Sequence, residues 1–373
     1  MSNVPPVSVV MPVRNAAPYL DESIASILGQ SFTDFEFVIR DDGSTDGSQD
    51  IVRRWASRDR RIRAFEGDRL GLVEIANWVV HEARAPIVAR MDADDIAHPG
   101  RLARQVGLLD RAETVVLAGS LYETIDSRGA RILPVARWRL GRKSCYVPFP
   151  HASATFRKQA FLDVGGYRPD CIYWEDLDLF LRMGERGRIA VVAEPLLAYR
   201  ISGAGVRRVS QAIAFERAIE KSLRCLALYR AGRSYDHLLP GAGVPAKVDP
   251  YVFVARGSAS LWDKAPVREL EGLRKRAALG FNWVSLQCLV WAVWARVHPP
   301  SLRALLRGMH RWRNASASHV EAGRVYEWRP GQGPLALRAA SDQEERAPSR
   351  APAPPEPELR VEPAAAIPAA AEI

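Results

Sequence analysis

Short apolar runs rich in β-branched residues alternate with longer segments of helical spacing from Val7 to Gly119. Val7–Val13 is continuous enough in apolar residues to predict a strand buried on both faces, and Leu20, Ile24, Ile27 and Leu28 give Pro18–Gly29 one apolar helical stripe. The same criteria predict strands at Phe35–Arg40, Ile62–Phe65, Ile87–Met91 and Val115–Gly119. Helices are predicted between them at Asp46–Ser57, with Asp46 as N-cap, Leu72–Ala83 and Pro99–Asp110. Strands and helices alternating at this length imply an α/β fold with a mostly parallel central sheet. In such sheets ligands bind beyond the carboxyl ends of the strands.

Acidic residues gather at those ends. Asp41-Asp42-Gly43-Ser44-Thr45-Asp46 follows the second predicted strand, and Asp92-Ala93-Asp94-Asp95 follows Ile87–Met91. The first cluster is also a natural turn into a capped helix. The second has no obvious packing use, and its like charges repel unless a cation or hydrogen-bond donors compensate. Oxygen-only ligands suit Mg²⁺ or Mn²⁺. On a regular strand Asp92 and Asp94 share a face but stand about 6.6 Å apart, so both bind one ion directly only if the chain turns there. The easier arrangement has Asp94 on the metal and Asp92 on water or a ribose hydroxyl, with a diphosphate completing the shell.

Charge changes the picture of the rest of the chain. The 373 residues carry a net charge of +9, which suggests an anionic partner without choosing one. From Ser341 to the end, seven acids face three bases, so this Pro- and Ala-rich tail holds −4 and the remainder +13. The tail has no periodic apolar face and is expected to be disordered. Cys145, Cys171, Cys225 and Cys288 form no CxxC pair and no zinc-type spacing, which fits a reducing cytoplasm. No targeting segment is expected at the front, where the apolar run is broken by Pro12 and Arg14. The longest uncharged stretch, Phe281–Ala295, has 15 residues, fewer than the ~20 needed to span a bilayer. With Pro299-Pro300 and the basic segment Arg303–Arg313 it reads as a helical hairpin packed on the protein, with a helix lying in a membrane interface as the alternative.

Taken in order, Val9-Val10-Met11-Pro12-Val13-Arg14-Asn15, Asp41 to Ser48, Gly71-Leu72 with Asn77, and Ala89 to Asp95 resemble the successive signatures of glycosyltransferase family 2. Gly165-Gly166-Tyr167-Arg168, Trp174-Glu175-Asp176-Leu177-Asp178-Leu179 and Glu194 to Arg200 resemble that family's second half. The resemblance implies a GT-A type, Rossmann-like domain and inverting transfer of a sugar from a nucleotide diphosphate, most often UDP, to an acceptor hydroxyl. It implies that Pro12 and Arg14 border the nucleotide, that Asp41 or Asp42 accepts a hydrogen bond from the base, and that Asp92 and Asp94 form the site for ribose and metal. Arg14 departs from the pattern, since an aromatic residue is frequent there. Asp176, beside Glu175, has the place of the catalytic base.

The chemistry agrees independently of the name. Inverting transfer needs a base for the acceptor proton, and Glu175-Asp176 opens an apolar-periodic helix whose dipole favours an ionised carboxylate. Tyr173-Trp174 offers aromatic faces to a sugar, and His151 is a candidate for the acceptor side. The expected organisation is a transferase domain at 1–205, a helical extension at 206–330 and a disordered tail at 331–373. The expected role is surface polysaccharide or glycoconjugate synthesis at the cytoplasmic side, on a sugar, lipid-linked or protein acceptor, with peripheral membrane contact through the C-terminal helices as an open possibility. A nucleotidyltransferase would need a Gly-rich phosphate loop after the first strand, which Pro12 to Pro18 lacks. A non-catalytic basic adaptor for nucleic acid or membrane would leave the acidic clusters without a role, so no nucleic-acid partner is expected.

Overall fold

The computed structural model describes residues 4–133, 135, 149–172, 174–201, 321–329 and 335–337, with isolated positions at 228, 233, 304, 308 and 311. Strands β1 (Val7–Val13), β2 (Phe35–Asp42), β3 (Ile62–Gly67) and β4 (Ile87–Arg90) alternate with helices α1 (Ala17–Leu28), α2 (Ser48–Ala56) and α3 (Leu72–Glu82). There follow β5 (Ile96–Ala97), α4 (Arg101–Arg111), β6 (Val115–Ile125), β7 (Arg131–Leu133), β8 (Thr155–Arg157), α5 (Lys158–Asp163), α6 (Glu175–Gly184) and β9 (Arg188–Arg200). The strands form one mixed sheet of order β11-β10-β9-β6-β8-β4-β1-β2-β3, in which β10 is Val325–Trp328 and β11 is Leu335–Ala336. Pairing is parallel across β4-β1-β2-β3 and between β6 and β9, and antiparallel where β8 joins β4 to β6.

The continuous apolar runs are explained by helices on both faces of the sheet. Val7, Val9, Met11 and Val13 of β1 pack with Leu20, Ile24 and Ile27 of α1, while Val10 packs with Val73, Val79 and Val80 of α3 on the other side. The expected α/β architecture is therefore observed, with several local differences. The second strand runs two residues further than predicted, so Asp41 and Asp42 belong to β2 and pair in register with β3. The fourth ends at Arg90, one residue early, and the sixth continues to Ile125 beside β9. The N-cap of α2 is Gly47 at φ 92°, not Asp46.

The sheet also extends past the predicted boundary at residue 205. Val325–Trp328 pairs antiparallel with β9, and Leu335–Ala336 pairs with β10, so stretches assigned to the helical extension and the tail supply edge strands. Tyr326 and Trp328 bury their rings in the core formed with α6. The remaining predicted C-terminal helices, the Trp-rich stretch at 281–295 and the acidic tail lie outside the described residues.

Gly119, in the middle of β6, is where the ring of Phe149 lies flat on the strand. A Cβ built there would stand 2.2 Å from a ring carbon of Phe149. The expected consequence for Gly119→Ala is an overpacking loss of about 1–3 kcal/mol, read as a lower urea midpoint with an unchanged slope; a midpoint equal to the parent's would show that Phe149 is not held there.

Candidate active site

The carboxyl ends of β1 and β2 are tied together by the first acidic motif. Asn15, at φ 48°, donates its backbone N–H to Ser44 Oγ (2.9 Å) and accepts from the Thr45 N–H through Oδ1 (2.9 Å). Ala16 donates to Ser48 Oγ (2.9 Å), and Ala17 to Asp46 Oδ2 (3.0 Å). Asp46 Oδ1 accepts from both the N–H and the hydroxyl of Ser48. Burial works against the Asp46 carboxylate, but these hydrogen bonds hold it below the ordinary aspartate range. Asp46 thus clasps two loops rather than capping its helix. Arg14 is exposed and donates from Nη1 to the carbonyl of Asp42 (2.5 Å), which turns its guanidinium back onto the end of β2. Pro12 is part-buried on β1, past the end of the β1–β4 ladder at Val10–Arg90, so its missing N–H costs no strand pairing.

Asp41 and Asp42 are consecutive on a strand and so point to opposite faces. Asp42 uses both oxygens, accepting from the N–H of Leu70 (2.6 Å) and of Gly71 (3.2 Å). Asp41 accepts from Ser44 N–H (2.8 Å) and Gln49 Nε2 (3.0 Å) on Oδ1 alone, and its buried Oδ2 has no hydrogen-bond partner among the described residues. Of the two carboxylates expected beside a base, only Asp41 has an oxygen to spare.

The chain turns at Ala93-Asp94 directly after β4. Asp92 Oδ1 is held by Arg90 Nη2 at 2.7 Å. Burial and the charge of Asp92 push the Asp94 carboxyl up to about 6. Asp95 is fully buried and pushed well above the usual range by burial and both neighbouring acids. Its Oδ1 accepts the Arg200 N–H at 2.8 Å. The Arg200 guanidinium donates to the carbonyls of Asp94 (2.7 Å), Asp126 (3.1 Å) and Ser127 (3.2 Å), and pairs with Glu22 at 2.6 Å. From α1, Ser23 Oγ bonds the carbonyls of Ala93 (3.0 Å) and Asp95 (2.6 Å). Arg200 closes a recognisable motif, yet nothing in the sequence indicated that it braces this turn.

Glu175 and Asp176 occupy the first turn of α6, as expected. Asp176 is part-exposed; its Oδ1 accepts the Leu177 N–H (2.8 Å), and Oδ2 makes no hydrogen bond among the described residues. Glu175 is buried. Trp174 is only 4% exposed and belongs to the core, so it offers no face to a sugar; Tyr173 lies outside the described residues.

His151 lies between the two acidic ends. Its Nε2 is 2.5 Å from Tyr167 Oη, its ring meets Tyr167 and Phe180 edge-on, and it feels the charges of Arg90, Asp176 and Asp92. Burial and Arg90 push it down to about 4, so the imidazole is neutral at physiological pH. Tyr167, pushed up chiefly by burial, senses Arg90, Glu175, Asp176 and Asp92. It is fixed by Asn77, whose side chain bonds both its N–H (2.8 Å) and its carbonyl (2.9 Å). Asp92 and Asp176 are thus near enough to the His–Tyr pair for their charges to act on both rings, and Glu175 on Tyr167, while Pro12, Arg14 and Asp41 stand at the ends of β1 and β2. Tyr167 was legible only as part of a Gly-Gly-Tyr motif.

Comparison with known proteins bears on this arrangement. The model of Glycosyl transferase family 2 matches residues 8–161. The putative glycosyltransferase EpsE of Bacillus subtilis (strain 168) is 34% identical over 194 residues, which is 50% of this chain and 69% of that protein. The O-antigen biosynthesis glycosyltransferase WbnJ of Escherichia coli is 28% identical over 226 residues, covering 58% of this chain and 87% of WbnJ. Among solved structures, the mannosyltransferase PcManGT from Pyrobaculum calidifontis, in complex with GDP-Man and Mn²⁺, aligns over 85% of this chain and 87% of its own, with 20% identity and a TM-score of 0.49. The family model and the match to EpsE establish that the chain belongs to glycosyltransferase family 2.

Proposed function

We propose that this glycosyltransferase moves a sugar, with inversion and with a divalent cation, from a nucleotide diphosphate to an acceptor hydroxyl in the synthesis of a surface polysaccharide or glycoconjugate, with UDP the first candidate nucleotide. The observation that carries the reading is the convergence on the His151–Tyr167 pair of Asp92, from the turn after β4, and Asp176, from the first turn of α6. In this reading Asp92 serves the donor side and Asp176 the acceptor side. The relatives' names support the polysaccharide context, since WbnJ is an O-antigen biosynthesis enzyme.

In this reading Asp41 Oδ2 accepts a hydrogen bond from the base, with Pro12 and the aliphatic part of Arg14 bordering it, and Asp42 holds the loop at Leu70-Gly71 instead. Asp92 meets the ribose. The donor set fits a hard cation such as Mn²⁺ or Mg²⁺: Asp92 and Asp94 are oxygen ligands, and their mutual repulsion, visible in the raised Asp94 value, is what a cation relieves. Among the described residues no three metal-ligating side chains cluster, so diphosphate and water would complete the shell. When bound, the cation supplies Lewis-acid stabilisation of the departing diphosphate. Asp176 Oδ2 takes the acceptor hydroxyl proton as that oxygen attacks the anomeric carbon, and the helix N-terminus stabilises its charge beforehand. Neutral His151 lies beside the base without a competing positive charge. No helix among the described residues is long and apolar enough to cross a membrane; acceptor delivery at the cytoplasmic face of one is part of the proposal.

Thermal denaturation with UDP or GDP, each with and without Mn²⁺, tests the reading, because a ligand bound only to the native state raises its stability. Stabilisation is expected only when nucleotide and cation are both present and is expected to vanish in Asp94→Ala; indifference to every nucleotide would overturn the proposal. Asp176→Asn is expected to keep that stabilisation and lose transfer by about 10²–10⁴-fold, and near-normal turnover would remove Asp176 as the base. The cation-free protein offers a pH test. A folded-state value near 6 means that Asp94 takes up its proton more readily when folded than when unfolded, so its stabilising contribution is complete below the ordinary aspartate range and is lost as pH rises through 6. The gain in urea midpoint between pH 7.5 and pH 5 should be smaller in Asp94→Asn; an equal gain would contradict the strained carboxylate.

A further inference from the structure

The proposed chemistry leaves unexplained a strongly basic cleft at the opposite edge of the sheet. It has a volume of about 640 Å³ and is walled by Arg58, Arg60, Arg61, Arg63 and Arg84, against two lining carboxylates, Glu36 and Asp59. The cleft lies where β2 and β3 begin and where the chain leaves α2 and α3, whereas the acids proposed to bind the donor stand at the carboxyl ends of β2 and β4.

Two of the arginines are already committed. Arg61 pairs with Asp59 at 2.7 Å and stacks over Phe35 with its Cζ 4.6 Å from the ring centre. Arg63 pairs with Glu36 at 3.0 Å and Glu82 at 3.3 Å. Both lining carboxylates are thereby satisfied. Arg58, Arg60 and Arg84 are exposed, and among the described residues their side chains make no hydrogen bond or contact ion pair, although the charge of Arg58 also acts on Asp21. The negative end of a helix dipole accounts for a cation just past α2 or α3. It does not account for three exposed arginines lining one cleft without a contacting acid. Pro5 lines the same cleft, and Val4, the residue before it, is 52% exposed.

We propose that this edge docks the protein on an anionic phospholipid surface, with Arg58, Arg60 and Arg84 on lipid phosphates and Val4-Pro5 against the headgroup–acyl boundary. Guanidinium forks match phosphate oxygens in pairs, and an anionic leaflet presents phosphates side by side, so that several arginines engage at once. A polyanionic chain would satisfy the arginines but leave Val4 in water; a lipid surface satisfies both. The carboxyl edge of the sheet stays open in this orientation. The inference is independent of the transferase reading, since none of these residues touches the candidate site.

The test is co-sedimentation of the full-length protein with vesicles of pure phosphatidylcholine and of phosphatidylcholine mixed with phosphatidylglycerol, at low and high salt. Binding is expected only with phosphatidylglycerol and is expected to weaken with salt. The triple variant Arg58→Gln, Arg60→Gln, Arg84→Gln is expected to lose about fivefold in partitioning per arginine, roughly a hundredfold in all. It should melt with the parent and keep the nucleotide response, and the corresponding triple Lys variant should retain binding within about tenfold because the charge persists. A Gln variant that binds as well as the parent would place the membrane contact elsewhere and overturn the proposal. So would a parent protein that ignores anionic vesicles, or one that binds heparin but not vesicles, which would mark the cleft as a polyanion site.

Discussion

Three aspartates crowd the single turn after β4, and their mutual repulsion is the constraint that the surrounding structure answers. Asp92, Asp94 and Asp95 face Arg90, Arg101 and Arg200, which arrive from β4, α4 and the last residue of β9. Only the Arg90–Asp92 contact is a direct side-chain ion pair. Arg101 is entirely buried and is pushed down to about 10 by that burial, and it spends its donors on the carbonyl of Arg90 (2.6 Å), Gln105 and the Met91 sulfur. Arg200 works mainly through carbonyls and its own N–H. The acids are thus held in position by groups that do not all neutralise them directly, and two carboxyls, Asp94 and Asp95, are left raised above the usual range. The proposed cation would relieve that incomplete compensation, whereas a fully paired turn would give it nothing to relieve.

The second half of the chain reaches the same place through a different constraint. Gly165 and Gly166 adopt φ 76° and 67°, and a Cβ on Gly166 would come within 2.6 Å of Asn77 Oδ1. That close approach lets one Asn on α3 satisfy both backbone groups of Tyr167. Arg182 of α6 locks the same loop through the carbonyls of Val164 (2.6 Å) and Gly166 (2.7 Å) while pairing with buried Asp178 at 2.5 Å. Helix α6 is therefore anchored to the loop that carries Tyr167, and its first turn, with Asp176, is fixed relative to His151. The geometry of the candidate base depends on glycines that have no chemistry of their own.

What could be read from the chain follows the range of the forces involved. Strand and helix periods are local, and the elements from Val7 to Gly119 were legible because each is buried on a face that its own spacing reveals. Strand ends were less so: Asp41 and Asp42 are polar, yet pairing with β3 carries β2 through them, and β6 continues past Gly119 because β9 lies beside it. The acidic motifs announced themselves by composition. Their supporting partners did not, since Arg200, Asn77 and Ser23 act across 70 or more residues of sequence. The edge strands Val325–Trp328 and Leu335–Ala336 were missed for the same reason, being too short to show a period and defined only by the strand they meet.

The arginine count shows why net charge misled as a guide to partners. Much of the positive charge in the described domain is not a surface for anions at all. Arg14, Arg157, Arg182 and Arg200 each donate to main-chain carbonyls where strands, helices or loops end, and Arg101 does so from full burial. Arginine suits this work because its charge persists under desolvation and its forked donors can satisfy several acceptors at once. A carbonyl clamp and an anion receptor are identical in composition and differ only in whether the donors are already engaged. The meaningful quantity is therefore the number of guanidiniums left without a contacting partner on one surface, and a chain of net +9 can, without contradiction, gather its candidate site residues chiefly from carboxylates.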